Sequence, residues 1–333
     1  MIYEKLIRPA LFSFDAENIH EIAMSFLAGL SRSNLLLDVL ASAHHPRLER
    51  TVFGLKFPNP VGLAAGMDKN AVALPAWGAL GFGFVEAGTV TARAQPGNPR
   101  PRIFRLPEKK ALINRLGFNN EGADAIAQRL ALLKKTDRWP KVPVGINLGK
   151  SKVTPIEEAT ADYLLSFERL QRFGDYFVLN VSSPNTPNLR KLQDRAALEE
   201  MFGEIQRRNT DKKPLLVKIA PDLESPQIEE ILELIETHKL AGIIAANTTI
   251  DHAAVPPAQD QRGGLSGAPL RARSTEIVRF IASKSSVPII ASGGVMDADS
   301  AREKFDAGAS LVQIYTGFIY RGPGLIGEIC RTL

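Results

Sequence analysis

The 333-residue chain is poor in thiols, with one cysteine, and in imidazoles, with five histidines. A lone Cys330 excludes an internal disulfide and any cysteine-built metal cluster, which fits a reducing compartment; its place in the last helical pattern makes it a packing residue. No metal site is expected. Nowhere does the chain approach the ~20 consecutive apolar residues of a membrane span, and no cleavable signal peptide is expected. Lys/Arg runs interleaved with aromatics are also missing, so a nucleic-acid partner is not expected despite a formal net charge of +5. That mild excess suits an anionic small molecule or an acidic lipid surface. What is present, 44% hydrophobic and 23% charged residues, supplies ample core for a soluble globular protein and argues against disorder. One domain with additions is the expected organisation for this length.

Residues 1 to about 45 differ from the rest of the chain. Asp15 reads as an N-cap, and Ile19, Ile22, Ala23, Phe26, Leu27 and Leu30 recur at helical spacing on one face. Ahead of them Tyr3, Leu6, Ile7, Ala10, Leu11 and Phe14 are apolar on one side, with Pro9 expected to start or kink a helix. Such segments fit either a helical cap packed on the main domain or an interfacial hairpin meeting a bilayer or a lipid-soluble ligand. The expected division is therefore 1–45 for a helical extension and 46–333 for the main domain.

From Val61 onward short apolar runs alternate with helical patterns. The runs are Val61 to Ala64, Phe82 to Ala87, Pro143 to Leu148, Tyr176 to Val181, Leu215 to Ile219, Gly242 to Asn247, Pro288 to Ser292 and Leu311 to Tyr315. Between them, Pro155 to Phe173, with Thr154 as cap and Pro155 at the first helical position, and Ser225 to His238 read as helices. Eight alternations with near-continuous apolar strands predict an α/β fold, a parallel (β/α)8 TIM barrel with an N-terminal helical extension. Thr91 to Asn120 and Thr248 to Arg273 are too long for simple turns and are expected to form lids or binding surfaces.

Barrel sites gather where strands end, so those residues carry the functional argument. The first run leads into Ala64-Ala-Gly-Met-Asp-Lys69 and the second into Gly88-Thr89; the third ends at Asn147, the fourth at Asn180, the sixth at Asn247-Thr-Thr249. Turn formation explains one such asparagine better than three, and an amide that donates and accepts suits a heterocycle with mixed edges. Lys218 shares a strand face with Leu216; an ammonium there needs an anion, either a ligand or a structural partner. Glycines in Ala291-Ser-Gly-Gly-Val295, Tyr315-Thr-Gly317 and Gly263-Gly-Leu-Ser-Gly267 allow backbone amides to approach a phosphate, commonly held after strands seven and eight of such barrels. The loop after the fourth strand is the most heavily equipped. Pro184 and Pro187 stiffen it, leaving Ser182, Ser183, Thr186 and Asn185 as its hydrogen-bonding groups. The same composition also fits an Asn/Ser/Pro turn.

Together these motifs, with Gly88-Thr-Val-Thr91, Gln95-Pro-Gly-Asn98, Asn114-Arg-Leu-Gly-Phe-Asn-Asn120, Asn180-Val-Ser-Ser-Pro-Asn-Thr186 and Lys218-Ile-Ala-Pro-Asp222, resemble the class 2, quinone-dependent dihydroorotate dehydrogenases over nearly the whole chain. Ser183 stands where class 1 enzymes carry cysteine. The resemblance implies oxidation of dihydroorotate to orotate in pyrimidine synthesis, with one FMN per chain and ubiquinone or menaquinone as acceptor. It implies Ser183 as base and Lys69, Asn114, Arg115, Leu116, Gly117, Phe118, Asn180, Asn185, Asn247 and Thr248 around the substrate. Flavin contacts implied are Ala65, Gly66, Lys69, Thr89, Asn147, Asn180, Lys218, Gly267, Gly294, Tyr315 and Thr316. Ala246 departs from the family's usual threonine and is left out, and Asn188 stands where glycine is frequent. The family likeness further implies that the extension docks on a membrane and forms a quinone tunnel, with Arg102 to Arg105 near its inner end. A bacterial enzyme, peripheral on the cytoplasmic face of the cell membrane and monomeric or weakly dimeric, is the resulting expectation.

Competing readings are a different FMN barrel oxidoreductase, a colourless phosphate-binding barrel and a non-enzymatic membrane-binding protein. His252, just after the sixth strand, is the alternative candidate for the base.

Overall fold

The structure is a computed structural model that describes residues 2–42 and 48–333. Eight strands, β1 (Val61–Leu63), β2 (Phe84–Val90), β3 (Val144–Leu148), β4 (Tyr176–Asn180), β5 (Leu215–Ile219), β6 (Gly242–Ala245), β7 (Ile289–Ser292) and β8 (Leu311–Ile314), pair in parallel and in chain order into a closed barrel. β8 closes on β1 through Val312 and Val61. Each strand is buried on both sides, one facing the ring of helices and the other the barrel axis.

Side-chain alternation divides the axis into two layers. Phe84, Tyr176, Val178, Leu216, Ile244, Ile290 and Leu311 pack inside the lower barrel. Phe57, from the antiparallel hairpin Arg50–Val52 and Leu55–Phe57, closes the floor with its ring edge-on to Phe84 at 5.3 Å. A Cβ on Gly62 would lie 2.2 Å from the Phe84 ring, so this close packing needs glycine there. Two residues further along the same strands the inward positions turn polar: Phe84 is followed by Glu86, Val178 by Asn180, Leu216 by Lys218, Ile290 by Ser292 and Leu311 by Gln313. The period of two thus puts an apolar plug below and a polar floor above.

Several boundaries differ from the sequence expectation. β2 runs past Ala87, so Gly88 and Thr89 lie within it rather than after it. The Gly66 amide donates to the Gly88 carbonyl at 2.7 Å, the Gly88 amide to Asp68 at 3.0 Å, and pairing resumes at Val90 opposite Leu148 after a register shift. β6 stops at Ala245, placing Asn247 two residues beyond the strand. Pro155 is extended, with ψ 159°, and a 3-10 turn (Ile156–Glu158) precedes the α-helix Ala159–Leu170. Thr154 is not its cap; its Oγ1 donates to Asp162 Oδ1 at 2.7 Å.

The two long connections are partly strands. Ile103–Leu106 and Ala111–Asn114 come from the first, Gly264–Gly267 from the second, and they form one three-stranded antiparallel sheet above the barrel mouth.

A π-helical turn (Tyr3–Ile7) runs into the helix Arg8–Phe12, which Pro9 starts rather than kinks. The helix Ala16–Leu30 comes next, capped by Asp15, whose carboxylate accepts from the Glu17 and Asn18 amides; Asn34–Ser42 lies beyond a turn. The expected domain boundary at residue 45 lies outside the described residues. Glu17 anchors the extension: buried, it takes both Nε and Nη2 of buried Arg102, the shortest contact being 2.7 Å. Tyr3 also donates to the Ile319 carbonyl at 2.7 Å, and Phe12 meets the Tyr320 ring edge-on. No single helix among the described residues is long and apolar enough to cross a membrane, and the helices on either side of the turn after Leu30 are bent by 107°.

Candidate active site

The polar floor is a connected network. Asn180 Nδ2 donates to Asn147 Oδ1 at 2.9 Å and to Thr89 Oγ1 at 3.1 Å, and Thr89 donates to the same Asn147 oxygen at 2.6 Å. Asn147 in turn donates to Glu86 at 2.7 Å, and Gln313 donates to the other oxygen of that fully buried carboxylate. Asn180 Oδ1 accepts from Ser182 at 2.9 Å and from Asn247 at 3.3 Å. The amides of Asn147, Asn180 and Asn247 are therefore held in fixed orientations by the bonds they make to one another and to Glu86, Thr89 and Ser182.

Two lysines stand around this floor. Lys218 is buried, and burial lowers its pKa while the charge of Glu86 opposes the shift. It has no carboxylate within salt-bridge distance among the described residues. Lys69 lies within the turn shaped by Asp68, whose buried carboxylate accepts the Val72 and Ala73 amides at 2.8 Å each. Burial pushes Lys69 down to about 8, against the pull of Glu17. Two cations facing one cavity with little opposing charge make it a receptor for anions.

That cavity is continuous. Its volume of about 280 Å³ lies close to the lower end of the ~300–1,000 Å³ of an ordinary small-molecule site. The inner end is lined by Lys69, Asn114, Ser183, Asn185, Asn247 and Thr248; Leu11, Phe12, Ile19, Ala23 and Leu27 of the extension line the outer end. Of the residues expected around substrate and flavin, Ala65, Gly66, Thr89, Leu116, Gly117, Phe118, Asn180, Lys218, Gly267, Gly294, Tyr315 and Thr316 also line it.

Two do not. The Arg115 side chain turns outward, stacked 4.8 Å from Phe104 and bonded to the Pro101 and Arg262 carbonyls. Asn147 sits beneath the lining, where it orients Thr89 and Asn180. His252, the alternative base, pairs with Asp260 at 2.6 Å within its own loop and is not among the lining residues. Lining residues that sequence reasoning missed include Gln313, Ser266 and His20, and Ala246, left out as a departure from the family pattern, lines it as well. Gln313 and Glu86 carried a legible signal, a polar residue in an apolar strand, the same one that marked Lys218.

The loop after β4 folds over the inner end. Asn188 adopts φ +57°, the left-handed conformation that asparagine tolerates. Asn185 Nδ2 donates to Asn114 Oδ1 at 3.2 Å, tying this loop to the strand Ala111–Asn114. The Ser183 hydroxyl is buried and accepts the Asn185 amide at 3.3 Å; Thr186 Oγ1, also buried, has no hydrogen-bond partner among the described residues.

Whether these residues fit a phosphorylated cofactor can be tested on the glycine loops. The amides of Gly293 and Gly294 line the cavity and donate to no protein acceptor among the described residues. Gly294 has φ +72°, and a Cβ there would lie 2.3 Å from the Arg271 backbone. Free amides on a tight turn suit an anion. With Lys218 facing the same cavity, a phosphate-bearing, electron-accepting group such as FMN fits the donor set.

The dihydroorotate dehydrogenase family model matches residues 47–333. The quinone-type dihydroorotate dehydrogenase of Salinispora arenicola is 54% identical, the match covering 98% of this chain and 97% of that relative. That of Gloeobacter violaceus is 53% identical over 99% of this chain and 93% of its own. A crystal structure of the Eimeria tenella dihydroorotate dehydrogenase in complex with ferulenol superposes with a TM-score of 0.87 at 36% identity, covering 97% of this chain and 93% of that one. The curated relatives extend over the helical residues that precede the matched family region. The chain belongs to the dihydroorotate dehydrogenase family.

Proposed function

We propose that the protein oxidises dihydroorotate to orotate at the inner end of the cavity and passes the electrons, through bound FMN, to a membrane quinone that enters between the N-terminal helices. The observation that carries this reading is the single cavity with a polar, cationic inner end and an apolar outer end. Lys69 binds the substrate carboxylate, and Asn114, Asn185, Asn247 and Thr248 meet the ring amides. Ser183 removes the C5 proton. A serine is a weak base, so Ser183 must give up its own hydroxyl proton, through Thr186 or a water, as it takes the one from C5; the Asn185 amide, which donates to its oxygen at 3.3 Å, favours that loss. When bound, FMN would supply the hydride acceptor for C6 and the electron carrier to the quinone. Lys218 would hold its ring and the amides around Gly267, Gly294 and Thr316 its phosphate.

The apolar face of the helix Ala16–Leu30 is covered along only one edge. Ile19, Ala23 and Leu27 face the cavity, whereas Ile22 and Phe26 are 61% and 66% exposed. The outward side suits peripheral docking on a membrane, at the cytoplasmic face of a bacterial cell. Anaerobic addition of dihydroorotate should bleach a yellow chromophore, and a ubiquinone or menaquinone analogue should restore it. A colourless protein, or one whose flavin dihydroorotate leaves oxidised, refutes the reading.

A further inference from the structure

Arg190 does not itself line the cavity, yet its guanidinium binds three of the loops that surround it. Nε donates to the Ser182 carbonyl at 3.1 Å, Nη2 to the Thr248 carbonyl at 3.2 Å, and Nη1 pairs with Asp222 at 2.9 Å. These acceptors lie after β4, β6 and β5 respectively. Asp222 is itself oriented by Thr249 Oγ1 and by the Ile250 amide at 3.3 Å. Leu189 and Leu192 on either side are buried, so the segment is held from within by apolar contacts and from the side by this one cation.

The two carbonyls are not arbitrary anchors. Ser182 immediately precedes Ser183, and Thr248 is itself a lining residue on the neighbouring loop. We infer that Arg190, with Asp222 as its counter-ion, is a positioning residue that clasps the Ser183 loop to the β6 loop and sets the base against the bound substrate ring. This role rests on dihydroorotate being the substrate of the same site. A planar fork with five N–H donors serves three acceptors in separate directions at once; a lysine at the end of a flexible stem cannot. Without the clasp, Ser182 and Thr248 keep their other bonds but the distance between the two loops is no longer set.

Stopped-flow kinetics of the full-length flavoprotein test this by separating the two half-reactions. R190Q should keep its flavin and its reoxidation rate with a quinone analogue, while anaerobic reduction by dihydroorotate slows by about tenfold to a hundredfold, the range expected from a displaced reacting group. R190K should recover only part of that loss. D222N, whose amide oxygen still accepts, should lose less than R190Q. R195Q, which removes an exposed pair with Glu233 on the next helix, serves as the unaffected control. Wild-type reduction rates in R190Q overturn the clasp, as does a parallel fall of flavin content and both half-reactions. If R190Q does not fold, D222N decides: an unchanged reductive half-reaction overturns the inference. A wild-type flavin that dihydroorotate does not reduce overturns the substrate reading and the clasp together, whereas a normal wild type with an unaffected R190Q removes the clasp alone.

Discussion

At the scale of single residues, Lys69 gives the most direct pH signature. With its pKa pushed down to about 8 by burial, it is charged at neutral pH and becomes a neutral amine as pH rises through that value. A carboxylate ligand binds the charged form, so orotate affinity should weaken above pH 8, by up to ~10-fold per unit. Orotate titrations followed by the flavin spectrum measure this, and an affinity that stays flat past pH ~9 removes Lys69 from the anion site. Ser183→Ala should leave FMN bound while slowing anaerobic flavin reduction by roughly 10²–10⁴-fold, the usual worth of a general base; fast reduction in that variant assigns the proton to another group. Lys218 was legible in the sequence because an ammonium in an apolar strand demands an explanation. Glu86 and Gln313 offered the same signal, but their partners, Asn147 and one another, are joined only when the strands close into a ring. Arg115 shows the opposite limit: the direction of its side chain depends on Phe104 and Pro101, which no local pattern supplies.

Elements were legible where periodicity is strong and local. All eight barrel strands fall within two or three residues of their expected ends, since continuous apolar runs between helical patterns leave little choice of architecture. The strands Ile103–Leu106, Ala111–Asn114 and Gly264–Gly267 were hidden inside supposed loops. They are four residues each, one of them is half glycine, and Gly264–Gly267 finds its partner Ala111–Asn114 some 150 residues earlier in the chain. The helix Ala16–Leu30 carries the expected apolar face, but only one edge of it, Ile19, Ala23 and Leu27, lines the cavity, and the exposed edge with Ile22 and Phe26 yields a prediction. Burying an Ile or Phe side chain is worth about 1.5–3 kcal/mol, so losing both Ile22 and Phe26 from a lipid surface should weaken binding by on the order of a hundredfold or more. I22S/F26S should therefore fail to co-sediment with vesicles that retain the parent protein, while dihydroorotate still reduces its flavin at the parent rate. Undiminished sedimentation would assign membrane contact to another surface.

For the whole molecule, the arrangement amounts to a division of labour along one cavity. The barrel and the strands over its mouth supply the inner end, with Lys69, Asn114, Ser183 and Asn247. The extension contributes almost only apolar wall; His20, its one lining imidazole, is held at about 3 by burial and by the nearby charge of Lys69, and so is neutral at physiological pH. On the proposed reading, the residues that meet the substrate all come from the barrel and the strands over its mouth, whereas the extension supplies the apolar wall of the outer end. Removing residues 1 to 40 should therefore abolish turnover with quinone while anaerobic bleaching by dihydroorotate persists. The anchoring pair adds a complication: without Glu17, Arg102 is left buried beside only the Pro96 and Asn98 carbonyls, and an unpaired buried cation destabilises its surroundings. Combining the deletion with Arg102→Met removes that penalty and separates loss of the quinone route from damage to the barrel. If the truncated enzyme turns over quinone with the parent's kinetics, electrons leave the cavity by another path, and the helices serve the membrane alone.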